Sequence, residues 1–325
     1  MYNNNKVMNK IIIYTTNDGM YYTFCIFIAW YLSQRGNKVK FIKDNNEIKE
    51  CLKKKNHAII PYGIEQQELF FNSKIYSLLD NKSDCYNLLE KYGNILKDTK
   101  INLIKSYTKD YIKNKNKNIK KKFIIKPNTG LGSRGIIFVE DYIYNLINEY
   151  PDYQIQDIIN NDCGYELSCV CKDGKIISSI CIKTTIIKRS LFSYMKGISG
   201  FTCYKQNLLE FAKKILENIK YNGFIEFEFI EENKKIYFME CNARLSGWVN
   251  NEYFFEKIII PYLKEFYKIN IPTQINYSND NNIIMSDKKS RINIVKSIFL
   301  NLNNLENIMN KGEFGLIYFK YLFNL

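Results

Sequence analysis

Oxygen-bearing side chains interrupt an apolar stretch at residues 223–244, GFIEFEFIEENKKIYFMECNAR. The alternation of apolar and polar residues on either side of a polar turn predicts a β-hairpin. Glu228 and Glu240 would then lie on adjoining strands, and Asn242, two positions after Glu240, would share its face. Two carboxylates and one amide on a single patch, with phosphate oxygens completing the shell, suit Mg²⁺. The hairpin therefore predicts a magnesium site.

A plainer interpretation of this hairpin stays open. Glu226 and Glu228 also fit the alternation of a half-exposed hairpin whose glutamates face water. Glu226 is accordingly the second choice as a metal ligand. Arg244 follows the candidate ligands, where its guanidinium can clamp a carboxylate in a bidentate manner or form a structural salt bridge.

A glycine-rich stretch, KPNTGLGSRGI at 126–136, spells G-x-G-x-x-G with Gly130, Gly132 and Gly135. A dinucleotide fingerprint lies between a strand and a helix, but here IIFVE follows, which favours a strand. No G-K-[ST] follows either, which excludes a Walker A loop, and the kinase motifs H-R-D and D-F-G are absent. The stretch therefore predicts a turn between antiparallel strands whose N–H groups close over phosphates. Lys126 ends an apolar strand beside this turn.

Other mechanisms have little support in the composition. His57 is the only histidine, which argues against Ser-His-Asp and Cys-His catalysis and against His-rich metal sites. The nine cysteines contain no C-x-x-C pair and are typical of reduced, cytoplasmic thiols.

The chain of 325 residues has a formal charge of +14, but its lysines are dispersed. Only KNKNKNIKKK at 113–122 forms a basic run, so we do not expect nucleic acid to be the main partner. MYYTFCIFIAWYLS at 20–33 is too short to span a bilayer and predicts a buried helix rather than an anchor or signal peptide.

Strand, turn, helix and strand follow one another over residues 10–44, which predicts a βαβ unit and a small Rossmann-like sheet. Further helices are predicted at 64–80 and 82–92. The later predictions are strands at 123–127, 135–141, 153–159, 165–174 and 175–185, helices at 142–150, 206–220, 251–267 and about 290–310, and a hairpin turn at 231–234.

From about residue 78 to 250 the chain resembles the ATP-grasp superfamily. NKSDCYNLLEKYG (81–93), FIIKPNTGLGSRGI, YQIQDIINNDCGYELS (153–168) and the hairpin occur in the order of that family's motifs. RLSGW (244–248) is similar to the predicted ATP-dependent carboligases, whereas the continuation NARLSGWVNN departs from the bicarbonate-binding pattern of biotin carboxylases.

The resemblance implies a role for each matching residue. Phosphate-binding lysines would be Lys82 and Lys126, with Lys183 as a further candidate, and the flap would contribute Gly130, Gly132, Ser133 and Gly135. The adenine would face Asp157, Ile158 and Ile159, with Asp157 in place of the usual glutamate, and the ribose would face Glu166. The two Mg²⁺ ions, with Mn²⁺ as an alternative, would be held by Glu228, Glu240 and Asn242, and Arg244 would act in catalysis with Lys126.

The implied fold is α/β (α+β), a Rossmann-like domain (1–105) followed by a two-subdomain ATP-grasp fold (106–160 and 161–270) and a helical extension (271–325). The implied activity is a cytoplasmic, ATP- and Mg²⁺-dependent ligase that joins a small-molecule carboxylate to an amine through an acylphosphate. The alternatives are a bicarbonate-activating enzyme and a degenerate nucleotide-binding module. No membrane partner is expected, and the oligomeric state is open, with a homodimer as one option.

Overall fold

The computed structural model describes residues 10–15, 19–53, 57–107, 120–129, 135–160, 163–185, 199–273 and 283–285. The predicted helix at 290–310 and most of the basic run at 113–122 lie outside these residues. No described helix combines the length and the apolar character needed to cross a membrane.

The N-terminal end forms a parallel three-stranded sheet. It contains β1 (Lys10–Tyr14), β2 (Lys38–Ile42) and β3 (His57–Pro61), with β1 in the centre, and the connecting helices are α1 (Gly19–Gln34) and α2 (Asn45–Leu52). Ile11, Ile12 and Ile13 have no exposed surface, because helices and strands cover both faces of a parallel sheet. The predicted βαβ unit is confirmed. α2 was not predicted, although the side chain of Asp44 caps its first turn.

A helical segment leads out of this sheet. It comprises α3 (Ile64–Phe71), α4 (Ile75–Asp80), α5 (Lys82–Lys91), α6 (Gly93–Leu96), a 3₁₀ turn (Lys97–Thr99) and the short strand β4 (Ile101–Leu103). The single helix predicted at 64–80 is wrong. The chain breaks at Asn72, whose φ of 50° lies in the left-handed region and whose N–H donates to the Glu68 carbonyl, a geometry that ends helices.

The glycine-rich stretch belongs to an antiparallel four-stranded sheet of order β5-β8-β6-β7. Its elements are β5 (Ser106–Tyr107), β6 (Lys120–Pro127), β7 (Ile137–Tyr142), α7 (Ile143–Glu149) and β8 (Tyr153–Asp157). Phe123, Ile125 and Ile155 form a core on one face with Ile143 and Leu146 of α7. β6 and β7 are antiparallel neighbours, so the glycine-rich stretch connects two antiparallel strands, as predicted. The dinucleotide interpretation, which needs a helix after the glycines, is excluded.

A seven-stranded sheet of order β14-β11-β10-β9-β12-β13-β4 forms the largest layer. Its later elements are β9 (Cys163–Lys172), β10 (Lys175–Thr185), β11 (Ser199–Cys203), α8 (Gln206–Ile219), β12 (Gly223–Glu232), β13 (Lys235–Asn242) and β14 (Ile283–Met285). The predicted hairpin is confirmed. β4 pairs in parallel with β13, so a domain boundary at residue 105 separates β4 from the sheet to which it belongs.

Side chains on the two faces of this sheet meet different partners. On the first face, Phe227 and Phe229 pack against Phe211 of α8. On the second face, one region is apolar and shares a core with α1 and the C-terminal helical segment. We call it the apolar half, and it consists of Val170, Ile180, Ile182 and Phe224. The C-terminal segment contains a 3₁₀ turn (Gly247–Asn250), α9 (Glu252–Phe254), a π-helical turn (Phe255–Ile259) and α10 (Ile260–Tyr267).

Candidate active site

The rest of the second face is rich in oxygen-bearing side chains. We call it the acidic half, and it consists of Glu166, Ser168, Glu226, Glu228, Glu240 and Asn242. The strand register explains its composition. Glu228 lies opposite Glu240 on one side and Glu166 on the other, and Glu226 lies opposite Asn242 and Ser168. Residues two apart share a face, so two rows of polar side chains stand side by side across three strands.

Asn242 joins the two rows. Its Nδ2 donates to Oε1 of Glu228 at 2.7 Å and to Oε2 of Glu226 at 3.4 Å. Glu226 is only 2% exposed, and its Oε1 has no hydrogen-bond partner among the described residues. Glu226 therefore points into the protein, and Glu228 and Glu240 are partly buried. This burial does not fit a hairpin whose glutamates all face water.

The crowding of carboxylates changes their acidity. Burial, together with the neighbouring charges of Glu240, Glu166 and Glu226, raises the pKa of Glu228 well above its ordinary value. Burial and the charge of Glu226 likewise raise the pKa of Glu166 to about 8. Cations placed beside these groups would favour their ionised forms.

Two cationic side chains border the acidic half. Arg244 Nη1 lies 3.7 Å from Oε2 of Glu226 and also donates to the Leu245 carbonyl at 3.0 Å. Lys82 Nζ lies 3.4 Å from Oε2 of Glu240. The structure thus brings Arg244 and Lys82 together with the predicted metal ligands.

Lys82 owes its position to the start of α5. Asn81 caps that helix, and its side chain accepts a hydrogen bond from the Asp84 N–H. The Lys82 N–H donates to the Asn128 carbonyl at 2.9 Å, and Ser83 Oγ donates to Oδ1 of Asn128 at 2.5 Å. Asn128 directly follows β6, so these bonds tie the phosphate-lysine candidate to the beginning of the glycine-rich turn.

The glycine-rich turn itself is described only at its edges. Lys126, near the end of β6, is 4% exposed and lies opposite Gln154 of β8, on the sheet face away from α7. Gly135 has a φ of 75°, which favours glycine. The predicted contacts at Gly130, Gly132 and Ser133 lie outside the described residues.

The predicted adenine contacts lie where the four-stranded sheet is joined to the seven-stranded sheet. Ile158 and Ile159 follow β8 and precede β9. Asp157 uses its carboxylate within the smaller sheet: it accepts a hydrogen bond from Tyr107 Oη at 2.8 Å and pairs with Lys121. The side chain of Asp157 therefore holds neighbouring strands together.

Glu166 accepts a hydrogen bond from the indole Nε1 of Trp248, which the sequence did not predict.

Lys183, a predicted phosphate-binding residue, lies away from the acidic half. In the register of β9 and β10 it faces Tyr165, whereas Glu166 faces Ile182, so Lys183 and Glu166 are on opposite faces of the sheet. The Lys183 ammonium lies 5.8 Å from the centroid of the Tyr165 ring. The structure does not bring Lys183 to the acidic half, because side chains alternate between faces along a strand.

Sequence reasoning also missed two buried glutamines. Gln154 and Gln156 are 3% and 1% exposed, they share the sheet face of Lys126, and their Oε1 atoms have no hydrogen-bond partner among the described residues. A buried acceptor without a partner costs about 1–3 kcal/mol, so a ligand donor at this face would be favoured. The alternation in YQIQ was the available signal.

Whether the acidic half fits a divalent cation depends on its donors. No group of three or more His, Cys, Asp or Glu side chains among the described residues is arranged to hold a metal ion. The candidate set instead has two carboxylates and one amide, and bound phosphate would supply the remaining oxygens. Glu228 and Glu240 lie opposite each other and Asn242 shares their face, so hard oxygen donors of the kind that Mg²⁺ prefers stand side by side and the residues fit this ion.

A family model described as the ATP-grasp domain matches residues 80–248, more than half of the chain. This range includes Lys82 at its start and Trp248 at its end. No curated protein sequence matches the chain.

Solved structures share the fold at low sequence identity. N5-carboxyaminoimidazole synthetase from Staphylococcus aureus complexed with ADP has a TM-score of 0.54 and 13% identity, covering 91% of this chain and 86% of that one. Phosphoribosylamine–glycine ligase from Thermotoga maritima has a TM-score of 0.54 and 11% identity, covering 84% and 82%. N5-carboxyaminoimidazole synthase from Aspergillus clavatus, in complex with ADP and a ribonucleotide, has a TM-score of 0.53 and 11% identity, covering 82% and 78%.

Proposed function

Because the chain belongs to the ATP-grasp family, we propose that it is an ATP-dependent ligase that activates a carboxylate as an acylphosphate and joins it to an amine. The observation that carries the proposal is the acidic half, where Glu228, Glu240 and Asn242 lie together. Within it Glu240 pairs with the ammonium of Lys82, and Glu226 pairs with Arg244. ADP and phosphate are the remaining products.

The nucleotide would lie between the four-stranded sheet and the seven-stranded sheet. Its adenine would meet the backbone of Ile158 and Ile159, and the unpartnered amide oxygen of Gln156 would accept a hydrogen bond from the exocyclic amine. Guanine presents a carbonyl oxygen at the corresponding position, so this contact favours ATP over GTP. The ribose hydroxyls would donate to Glu166, and Lys126 with the glycine-rich turn would hold the phosphates.

Mg²⁺ would be held by Glu228, Glu240 and Asn242, and it would neutralise charge on the phosphates. Lys82, which now pairs with Glu240, would contribute a second positive charge at the same place. Both effects lower the barrier to phosphoryl transfer, because negative charge develops on the transferred group.

In the first step the substrate carboxylate attacks the γ-phosphorus, the bond to the β,γ-bridging oxygen breaks, and ADP leaves. In the second step the amine attacks the acyl carbon, loses a proton, and phosphate departs. Arg244 would hold the carboxylate and then stabilise the tetrahedral intermediate. No side-chain nucleophile is needed, and closure of the glycine-rich turn would keep water from hydrolysing the acylphosphate.

ADP release from the purified chain with Mg-ATP, across a panel of amino acids and small carboxylates with and without amines, tests the proposal. We expect release that requires both an acid and an amine, and hydroxylamine in place of the amine should yield the hydroxamate of the activated acid. Glu240→Gln should abolish release, whereas Glu217→Gln, an exposed position on α8, should not. Equal nucleotide binding by the wild type and Glu240→Gln, with no turnover by either, would show a nucleotide-binding module instead of a ligase.

A further inference from the structure

Two cysteines face each other at the other side of the large sheet. Cys181 of β10 lies directly opposite Cys203 of β11, and their Sγ atoms are 3.5 Å apart. Opposite residues of antiparallel strands have Cα atoms about 4.5–5.5 Å apart, and this separation suits a disulfide. Rotation of the two side chains is therefore enough to bring the sulfurs to bonding distance.

The surroundings of Cys203 favour a reactive thiol. Cys203 is half-buried, whereas Cys181 is only 8% exposed. The hydrogen bond between Cys203 and Cys181, with smaller contributions from the ammonium groups of Lys205 and Lys183, lowers the pKa of Cys203. The same hydrogen bond, together with burial, raises the pKa of Cys181. The pair thus has an accessible sulfur that ionises first and a covered sulfur behind it.

Glu231, the carboxylate beside Lys205, has a second partner. Glu231 accepts a hydrogen bond from Tyr165 Oη at 2.7 Å, and its Oε2 lies 3.8 Å from Lys205 Nζ. Lys205 also lies 4.9 Å from the centroid of the Tyr165 ring. Lys205 and Lys183 therefore supply positive charge beside the Cys203 thiol.

A second thiol pair in the same protein provides a contrast. Cys85 and Cys241 interact through a hydrogen bond but are 2% and 4% exposed. Burial, followed by the contact with Cys85 and the negative charges of Asp80 and Glu226, raises the pKa of Cys241. Both pairs thus bring two thiols together. Only the Cys181–Cys203 pair has a partly exposed sulfur and neighbouring ammonium groups.

We propose that Cys181 and Cys203 form a redox-modification site that reacts with low-molecular-weight disulfides such as oxidised glutathione. The Cys203 thiolate attacks one sulfur of the disulfide, forms a mixed disulfide and releases one glutathione thiolate, which takes up the proton of Cys181. Cys181 then attacks Cys203 Sγ and displaces the second glutathione. Two protein thiols are oxidised to one disulfide, and one oxidised glutathione is reduced to two thiols.

The cross-link would fix β11 to β10 close to the acidic half. A Cβ atom at Gly200 of β11 would lie 2.6 Å from Ile182 Cγ2 and 3.1 Å from Trp248 Cη2, so β11 packs tightly under the tryptophan that holds Glu166. The inference does not depend on the proposed ligase activity, since it concerns only thiol chemistry.

The experiment exposes the full-length chain to oxidised glutathione, blocks the remaining thiols with N-ethylmaleimide, and identifies the peptides by mass spectrometry. We expect a Cys181–Cys203 cross-link that dithiothreitol reverses, while Cys85 and Cys241 remain reduced and react only after denaturation. In Cys181→Ser, a stable glutathione adduct should accumulate on Cys203. In Cys203→Ser, neither the cross-link nor an adduct on Cys181 should form.

The positive charge can be tested separately. Lys205→Met should slow alkylation of Cys203 about 3- to 10-fold at neutral pH, because loss of the neighbouring positive charge raises the pKa of the thiol and lowers its thiolate fraction. Lys214→Met, on α8, is the matched control and should leave the rate unchanged. No cross-link in the wild type, or an equal yield from the Cys85–Cys241 pair, would overturn the proposal.

Discussion

The acidic half and the apolar half lie on one face of one sheet and share the strands β9 and β12. β9 contributes Glu166 and Ser168 to the acidic half and, two residues later, Val170 to the apolar half. β12 contributes Phe224 to the apolar half and, two residues later, Glu226 to the acidic half. What differs is the cover: α1 and the C-terminal helical segment share a core with the apolar half, whereas the acidic half is bordered by Lys82 and Arg244.

Burial has opposite effects on stability in the two halves. In the apolar half, removing hydrocarbon from water stabilises the fold by about 1.5–3 kcal/mol for each large side chain. In the acidic half, burial raises the pKa of Glu228 and Glu166, so that stability is lower than it would be with neutral side chains. We expect substitutions in the apolar half to affect folding first and those in the acidic half to affect turnover first.

The largest effect is expected in the apolar half. Phe224 is 1% exposed, and its ring centroid lies 4.4 Å from that of Tyr262. Phe224→Ala should lower the free energy of unfolding by about 3–5 kcal/mol, measured by urea denaturation, because it leaves a cavity. Phe201→Ala, at a residue 38% exposed, is the control and should have a far smaller effect. Comparable losses for the two variants would contradict the prediction.

Glu228→Gln should change two quantities in opposite directions. Turnover should fall on the order of 100-fold if Glu228 holds Mg²⁺ as proposed, while the unliganded protein should gain about 0.5–2 kcal/mol of stability. The gain should grow as pH rises. A carboxyl whose folded pKa is raised stabilises the fold at low pH, and this contribution is lost as pH rises through the folded pKa.

Thermal unfolding and ADP release, measured on the same preparations between pH 5 and 9, check this prediction. Glu217→Gln should leave both quantities unchanged at every pH. If Glu228→Gln is less stable than the wild type at the alkaline end, like-charge crowding is not a cost in this site.

Trp248→Phe should have a smaller effect confined to the nucleotide. The indole Nε1 donates to Glu166, and a hydrogen bond to a charged group contributes about 1.5–3 kcal/mol, so ATP affinity should fall about tenfold or more. If Glu166 meets the ribose, 2′-deoxy-ATP should lose less affinity than ATP. Equal losses in calorimetric titrations of the two nucleotides would separate Trp248 from ribose recognition.

Lys183→Met should have the smallest effect. Lys183 lies on the face opposite the acidic half, so ADP release should stay within about twofold of the wild type, the range expected away from a site. Lys82→Met is the matched comparison and should reduce ADP release strongly, because Lys82 pairs with Glu240. A large loss in Lys183→Met would mean that this lysine reaches the phosphates after all.

Much of the fold could be predicted because local patterns were strong. The βαβ unit, the hairpin at 223–244 and the helix at 206–220 have clear periodicity and turn residues, and the structure confirms them. The elements that were missed are short, and α2, β4 and β11 are examples that offer few residues over which a period can be recognised. β4 and β11 are also held by pairing with distant strands, which no local pattern reveals.

The candidate site divides in the same way. The pairing of Glu228 with Glu240 follows from the hairpin, whose two strands are adjacent in sequence. Glu166 beside Glu228 and Trp248 bonded to Glu166 depend on which distant strands pair and in which register. Lys183 lies on the opposite face because the register of the β9–β10 hairpin shifts between Ile176 and Ser178. A shift of one residue in that register would exchange the two faces of a strand.

By itself, the sequence determined that a hairpin with paired carboxylates exists, that a glycine-rich turn lies between antiparallel strands, and that the chain resembles ATP-grasp proteins. Only the tertiary structure decided which half of the second face is covered by helices and which meets Lys82, Arg244 and Trp248. The physical reason is that alternation specifies two faces for every strand, whereas long-range packing determines what each face touches.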